Sequence, residues 1–370
     1  MAARATTLAQ GFSQKLMLEM YDKDLSGQIT NTDYEGEINA VGSKLNILNF
    51  DRITERTYAN TALSAADSLT ENNAQLVIDQ YKSFYWKEKT LDNWLSYIKN
   101  PHPTIVSQVA NERNKNKDEY LFGLYGDIGA GHRVGTDHAD GTVAVALTTG
   151  VVTGSGTNFT VSMEGKGFKA DGHTTWYRVK TYTSPTQITI EDDKDDATSA
   201  YTGAAIAGSS TYTIEAKTAV SITTANLLQY VGQIKKKLDL AEFNGYNSVP
   251  DTDRFLLVHP EFEYNLVRAS GIALHVPEVY SELVKKGFIT ELLGFKIFKT
   301  NRLSGDNTDG YHIIAGHPNW MTYAEKVLDA RIEEDLIGDF GSAYKDLFVY
   351  GAKVTDPRRH YAAELFATFA

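Results

Sequence analysis

Two periodicities alternate along this chain. From Lys44 the text KLNILNFDRITERTY opens with alternating polar and apolar positions, the pattern of a half-buried strand. A tip of small and polar residues, 59–73, leads into AQLVIDQYKSFYWKEK, whose aromatic and β-branched positions favour extended structure. The pattern predicts one long β-arm over Lys44–Lys89. A lone two-stranded ribbon buries too little surface to stand alone, so the arm is expected to lie on a neighbour. Downstream, Ile105, Val109, Tyr120, Leu121 and Leu124 keep helical spacing around a polar middle, Asn111 to Glu119. This predicts a helix from about Thr104 to Tyr125 with apolar ends and an exposed centre. Leu8, Phe12, Leu16 and Met20 form one stripe of an N-terminal helix over residues 6–21.

The glycine-dense stretch Gly126–Gly141 reads as a flexible linker, with a metal grouping of His132, Asp137, His138 and Asp140 as the weaker alternative. The text then turns rich in Thr, Gly and Val. Alternating runs at Val143–Leu147, Trp176–Tyr182, Gln187–Ile190 and Thr211–Ile214 predict a small all-β barrel or sandwich over 141–216. Trp176 and Tyr177 are read as core positions, with sugar stacking as the alternative. The acidic run Glu191–Asp196 reads as a solvated loop. Leu227, Leu228, Val231, Ile234 and Leu238 then share one helix face, with Thr223 or Thr224 as N-cap. A buried strand Phe255–Val258, a helix from about Pro260 to Ala269, and strands within Gly294–Leu303 and Tyr311–His317 follow. DLFVYGAKVT and HYAAELFATF are expected to form a hairpin around Asp356–Arg359.

The order of TERTYANTALS…QLVIDQYKSFYWKEKTLDN, a helix ending in a Leu/Tyr run, RFLLVHPEFEYNL, LLGFKIFKTNRL and GHPNWMTYAEKV resembles the tailed-bacteriophage major capsid proteins. That resemblance implies an α+β, Hong Kong 97-type phage capsid fold with an all-β insertion domain. The implied parts are an N-terminal arm (1–43), an extended β-hairpin loop (44–90), a peripheral domain with the spine helix (91–140 and 318–370), the insertion (141–216) and an axial domain (217–317). The text VVTGSGTNFT…WYRVKTYTSPTQITI within the insertion resembles a β-module of phage virion proteins. By resemblance the chain is a major capsid protein assembling as pentamers and hexamers into an icosahedral shell around double-stranded DNA. Its implied partners are itself and scaffolding, portal and decoration proteins. Its implied place is the virion, after synthesis in the host cytoplasm, with no cofactor and no membrane. Arg52, Glu55, Arg56, Asp67 and Glu71, near the arm's far end, are the inter-subunit contact candidates.

Composition narrows the choices. The absence of cysteine excludes disulfides, thiolate metal sites and cysteine nucleophiles. A net charge of −11 makes any enclosed nucleic acid the content of a repelling container. The basic run Lys235–Lys237 is read as a solvated helix face. No apolar run is long enough to span a bilayer, and the N-terminus lacks a signal-peptide core. No HExxH, GxSxG or dinucleotide fingerprint occurs, so catalysis is not expected. Asp22, Asp24, Ser26 and Asp33 match calcium-loop spacing, but position twelve is Asp rather than Glu, so no metal site is expected there. Two alternatives remain: an encapsulin-like compartment shell, and a calcium- or glycan-binding surface module.

Overall fold

The computed structural model describes residues 24–33, 44–50, 55, 71–89, 102–194, 199–243, 246–247, 249–273, 291–333 and 340–370. The expected helix over 6–21 lies outside them. Strand β1 (Lys44–Phe50) pairs antiparallel with β2 (Glu71–Val77), Phe50 opposite Glu71. The chain breaks at Ile78 and Asp79, and β3 (Gln80–Lys89) leaves the hairpin. The expected single return strand is therefore two strands with different partners. Ile78 is buried, and Asp79 accepts a hydrogen bond from Tyr120 Oη, which fixes the break.

Helix α1 (His102–Gly123) runs into a 3-10 turn, Leu124–Asp127. After β4 (Arg133–Val134) come β5 (Thr136–His138), β6 (Thr142–Val145), β7 (Val151–Ser155), β8 (Gly167–Ala170), β9 (Tyr177–Ser184), β10 (Gln187–Asp192), β11 (Ile206–Ser210) and β12 (Tyr212–Thr218). Strands β5 to β12 make one sheet in the order β11-β6-β7-β10-β9-β8-β12-β5. Only Thr211 separates β11 from β12, and only residues 139–141 separate β5 from β6, yet each connection joins opposite ends of that order. Connections so short force the sheet to roll up, so it is a barrel. Inward positions alternate along β6 and β10, and Val143, Val152, Phe159, Phe168, Ile188, Ile190, Tyr212 and Ile214 fill the interior.

The rest of the chain builds a second core. Strand β13 (Val220–Ile222) leads to α2 (Leu227–Asp239), a short pair β14 (Glu242–Phe243) and β15 (Tyr246–Asn247), then β16 (Phe255–Val258) and α3 (Pro260–Ala273). The chain continues through β17 (Glu291–Leu292), β18 (Phe295–Lys299), β19 (Gly305–Asp306) and β20 (Gly310–Gly316). Last come β21 (Thr322–Glu333), β22 (Gly341–Lys353) and β23 (Ala362–Phe369). The main sheet runs β13-β23-β20-β16-β18-β17, with β4 added in parallel to β23. Strand β16 is buried at every position, as expected for a short apolar run inside a sheet. Helix α2 buries Leu227, Val231, Ile234 and Leu238 in this core, each contributing about 1.5–3 kcal/mol relative to exposure. Its N-cap position is Asn226, not Thr223 or Thr224; the Asn226 side chain accepts from Thr223 N–H and donates to Ser221 C=O.

The expected closing hairpin does not form. A 3-10 helix, Asp356–Tyr361, separates β22 from β23 and sends them to different sheets. Strand β23 joins the main sheet beside β20 of the 217–317 segment, in the same core as Leu121 and Phe122 of α1. Strand β22 pairs on one side with β21 and on the other with β3, Tyr344 facing Trp86. The Val77–Ile78 backbone crosses close above Gly351, where a side chain would fall 2.4 Å from Val77 O.

Candidate functional site

Helix α1 carries few apolar residues in its middle, yet that middle is not exposed, contrary to expectation. Lys117 and Asp118 are 4% and 0% exposed. Four segments supply the charges that make this burial tolerable. Lys117 Nζ lies 3.0 Å from both Asp24 Oδ2 and Glu325 Oε2. Asp118 Oδ2 accepts from Arg302 Nη1 at 2.7 Å. Arg113 pairs with Asp346 and lies 4.3 Å from the centre of the Phe348 ring. The helix is thus clasped by ion pairs to the N-terminal segment, the main core and the β21–β22 hairpin.

Burial, then the neighbouring Asp24 charge, pushes the Asp118 carboxyl up to about 6 despite Arg302. The sign follows from linkage. Between the ordinary value and about 6 the folded chain keeps a proton that the unfolded chain releases, so this group lowers stability as pH rises through that window. Asp118→Asn should therefore flatten the stability profile between pH 4 and 6.5, even though losing the Arg302 pair lowers stability throughout. Melting temperatures of the two chains across that range test this; parallel profiles count against it.

A second charged cluster lies where the barrel meets the main sheet, in the stretch expected to be a flexible linker. Ile128, Val134, His132 and Arg133 are buried there. Arg133 is 4% exposed; its Nε donates to Glu364 Oε2 at 3.0 Å, and its Nη1 lies 3.4 Å from Glu215 Oε1. Its remaining N–H groups donate to the carbonyls of Gly126, Ile128 and Gly165. Glu215 also accepts from the backbone N–H of Gly131, Arg133 and Gly167. Burial pushes the Glu215 carboxyl up. For Glu364 burial acts in the same direction, but the His312 hydrogen bond at 2.6 Å and Arg133 outweigh it and hold it below its ordinary value. Asp193, read as part of a solvated loop, instead pairs with Arg178 and Arg359 and accepts from Ala130 N–H. Its neighbours Glu191 and Asp192 are also bound, to Lys180 and to Thr202. Asp195 and Asp196 lie outside the described residues.

The outward surface with the plainest demand for a partner is the far half of the three-stranded sheet β21-β22-β3. Its near end rests on the β1–β2 hairpin through Ile47, Leu76, Ile78, Ala324 and Val349. Beyond a bulge at Leu328 the strands carry Ile332 at 60% exposure, Tyr85 at 63% and, at the turn, Phe340 at 87%. Trp86 and Tyr344 stack here, ring centres 4.8 Å apart. Both outer edges of the sheet, β3 and β21, continue unpaired by any other described strand along this half.

The positions singled out from sequence do not converge. Asp24 accepts from Ser26 N–H and pairs with Lys117, Ser26 is buried at the start of a single helical turn, Ser26–Ile29, and Asp33 N–H bonds to Asn31. That turn takes the place of a ligand-wrapping loop; Asp22 lies outside the described residues. Of His132, Asp137, His138 and Asp140, the structure brings His138 and Asp140 together, beside Lys217, but His132 faces His360 and Asp137 accepts from Ala216 N–H. Tyr177 is in the barrel core as expected, whereas Trp176, also expected there, is half-buried outside it and lines a cleft. Of the arm candidates, Glu55 is exposed and Glu71 lies in β2, while Arg52, Arg56 and Asp67 lie outside the described residues. Sequence reading missed Arg133, Glu215 and Glu364. One signal was present: Glu364 interrupts the otherwise apolar run AAELFA, where only a paired carboxylate is tolerated.

Comparison with known proteins agrees with this architecture. A family model described as phage capsid protein matches residues 174–363, and the chain belongs to that family. It is a structural protein of the virion capsid. Solved structures share its α+β fold almost end to end. One from Mycobacterium phage Che8 is 17% identical and covers 99% of this chain and 98% of its own, with a TM-score of 0.58. The capsid of cyanophage P-SCSP1u is 12% identical over 98% and 94%, with a TM-score of 0.59. The capsid asymmetric unit of cyanophage Pam1 is 9% identical over 99% and 98%, with a TM-score of 0.57. No curated protein sequence matches. Among the described residues, no helix is long and apolar enough to cross a membrane.

Proposed function

We propose that copies of this chain assemble as pentamers and hexamers into an icosahedral shell enclosing double-stranded DNA. The observation that carries this reading is the far half of β21-β22-β3. A narrow sheet with apolar side chains outward and both edges unpaired by any other described strand offers a surface to a neighbour, and a copy-to-copy contact of unlike surfaces closes into rings. In this reading the protein has no catalytic role, is made in the host cytoplasm, and meets scaffolding, portal and decoration proteins during assembly. The acidic chain as a whole encloses the DNA without a broad basic surface to grip it.

The experiment is to express the chain, image it by negative stain and measure the nucleic acid in nuclease-treated particles. Closed shells built of five- and six-fold rings are expected. Their absence under every assembly condition overturns the reading, and shells that package protein cargo but no DNA favour the encapsulin-like alternative. Tyr85→Asp combined with Ile332→Asp should leave the subunit's melting within about 1 kcal/mol of the parent, because both sites are exposed, yet stop shell formation. Normal shells from that double variant count against the ribbon as the contact.

A further inference from the structure

Between the barrel, α2 and the segment before β23 lies a cleft of about 1030 Å³, lined among others by Gly131, His132, Trp176, Lys236 and Lys237. It is independent of the assembly surface. Its carboxylates are already engaged: Asp193 by Arg178 and Arg359, and Asp192 by Lys194 and Thr202. Two of its three lysines are not. Lys237 donates to Gly131 C=O at 2.7 Å, and neither it nor Lys236 has an ion-pair partner among the described residues. A chain of net charge −11 thus places two such cations in this recess.

The recess is also lined by an aromatic ring. Gly131, at φ +89°, gives up its side chain so that Trp176 can pack on the loop; a Cβ there would fall 2.6 Å from Trp176 Cδ1. His132 lines the same space, is 7% exposed, and its Nδ1 has no hydrogen-bond partner. Burial, reinforced by His360, keeps this imidazole neutral.

We propose that this cleft binds a nucleotide phosphate, the phosphate on Lys236 and Lys237 and the base against Trp176. The phosphate comes either from a free mononucleotide or from a nucleic acid strand; both present the same charge and the same flat ring. Base stacking tolerates any sequence, which suits a protein without base-reading elements.

The test is calorimetric titration of the full chain with deoxyadenosine monophosphate, a short oligodeoxyadenylate and inorganic phosphate. Saturable binding of one nucleotide per chain is expected, weakened tenfold or more by Lys236→Glu, by Lys236→Gln and by Trp176→Leu. Lys236 is exposed, so its variants fold normally, and an unchanged melting temperature shows it. An oligonucleotide affinity well above that of the mononucleotide, falling steeply with salt, identifies the strand as the source; equal affinities identify the free nucleotide. No saturable binding at millimolar nucleotide overturns the proposal. So does binding that the Lys236 variants leave unchanged, and so does inorganic phosphate binding as tightly as the nucleotide.

Discussion

Arg133→Met should be the most damaging single substitution among the described residues. It removes the cation shared by Glu215 and Glu364 and takes the donor from the carbonyls of Ile128 and Gly165, while that of Gly126 keeps Arg178. Taking one partner from a buried pair costs about 3–5 kcal/mol because the remaining charge stays in a poor solvent. Here two carboxylates are stranded at once. Glu364 keeps His312, so the larger share of the loss falls on Glu215. The expected result is a sharp fall in soluble yield and, in whatever chain is recovered, an early melt by calorimetry. Adding Glu215→Gln should restore part of the loss, since a neutral amide no longer strands a charge. A single variant that loses less than about 1 kcal/mol means that the pair is solvated.

The second large effect is on assembly. Replacing residues 57–70 with a short Gly/Ser bridge should leave a soluble subunit with an unchanged melt but no closed shells. The deletion stops at 70 because Glu71 and Asn72 are in register with Phe50 and Asn49. Residues 56–70 lie outside those described, so the prediction rests on what surrounds them. Among the described residues, the β1–β2 hairpin that carries them packs by its base, through Ile47, Leu76 and Ile78. The charges expected at its far end are worth almost nothing in solution and set register when paired across an interface. Negative-stain images and circular dichroism decide it. An unfolded subunit makes the loop part of the core, and normal shells make it dispensable.

What the sequence disclosed follows a physical division. Elements held by their own periodicity were readable: α2 from Leu227, Val231, Ile234 and Leu238, β16 from its unbroken apolar run, and the barrel strands from alternation. The order of those elements also carried the resemblance to phage capsid proteins, which the family match bears out. Partnering was not readable. The run from Ala74 to Lys89 looks continuous, and only Gly351, far away in sequence, makes room for the crossing that splits it. The polar middle of α1 was misread for a related reason. A helix face with no apolar residues signals exposure unless Asp24, Arg302, Glu325 and Asp346 converge on it, and these come from positions across the whole chain. The Gly126–Gly141 stretch reads as a linker because glycines loosen a free chain; here they allow close packing around Arg133.

The barrel leaves and rejoins the main body side by side, with Thr136 opposite Thr218 in the ladder. Arg133 stands three residues before the first and Glu215 three residues before the second. One buried ion pair therefore pins both legs of the stalk, and Glu364 anchors that pin to β23 in the main sheet. A domain on two unpinned strands would swing like a bead on a tether. Pinned in this way it is a lever. Any rotation of the sheet beneath turns the barrel's outer surface with it.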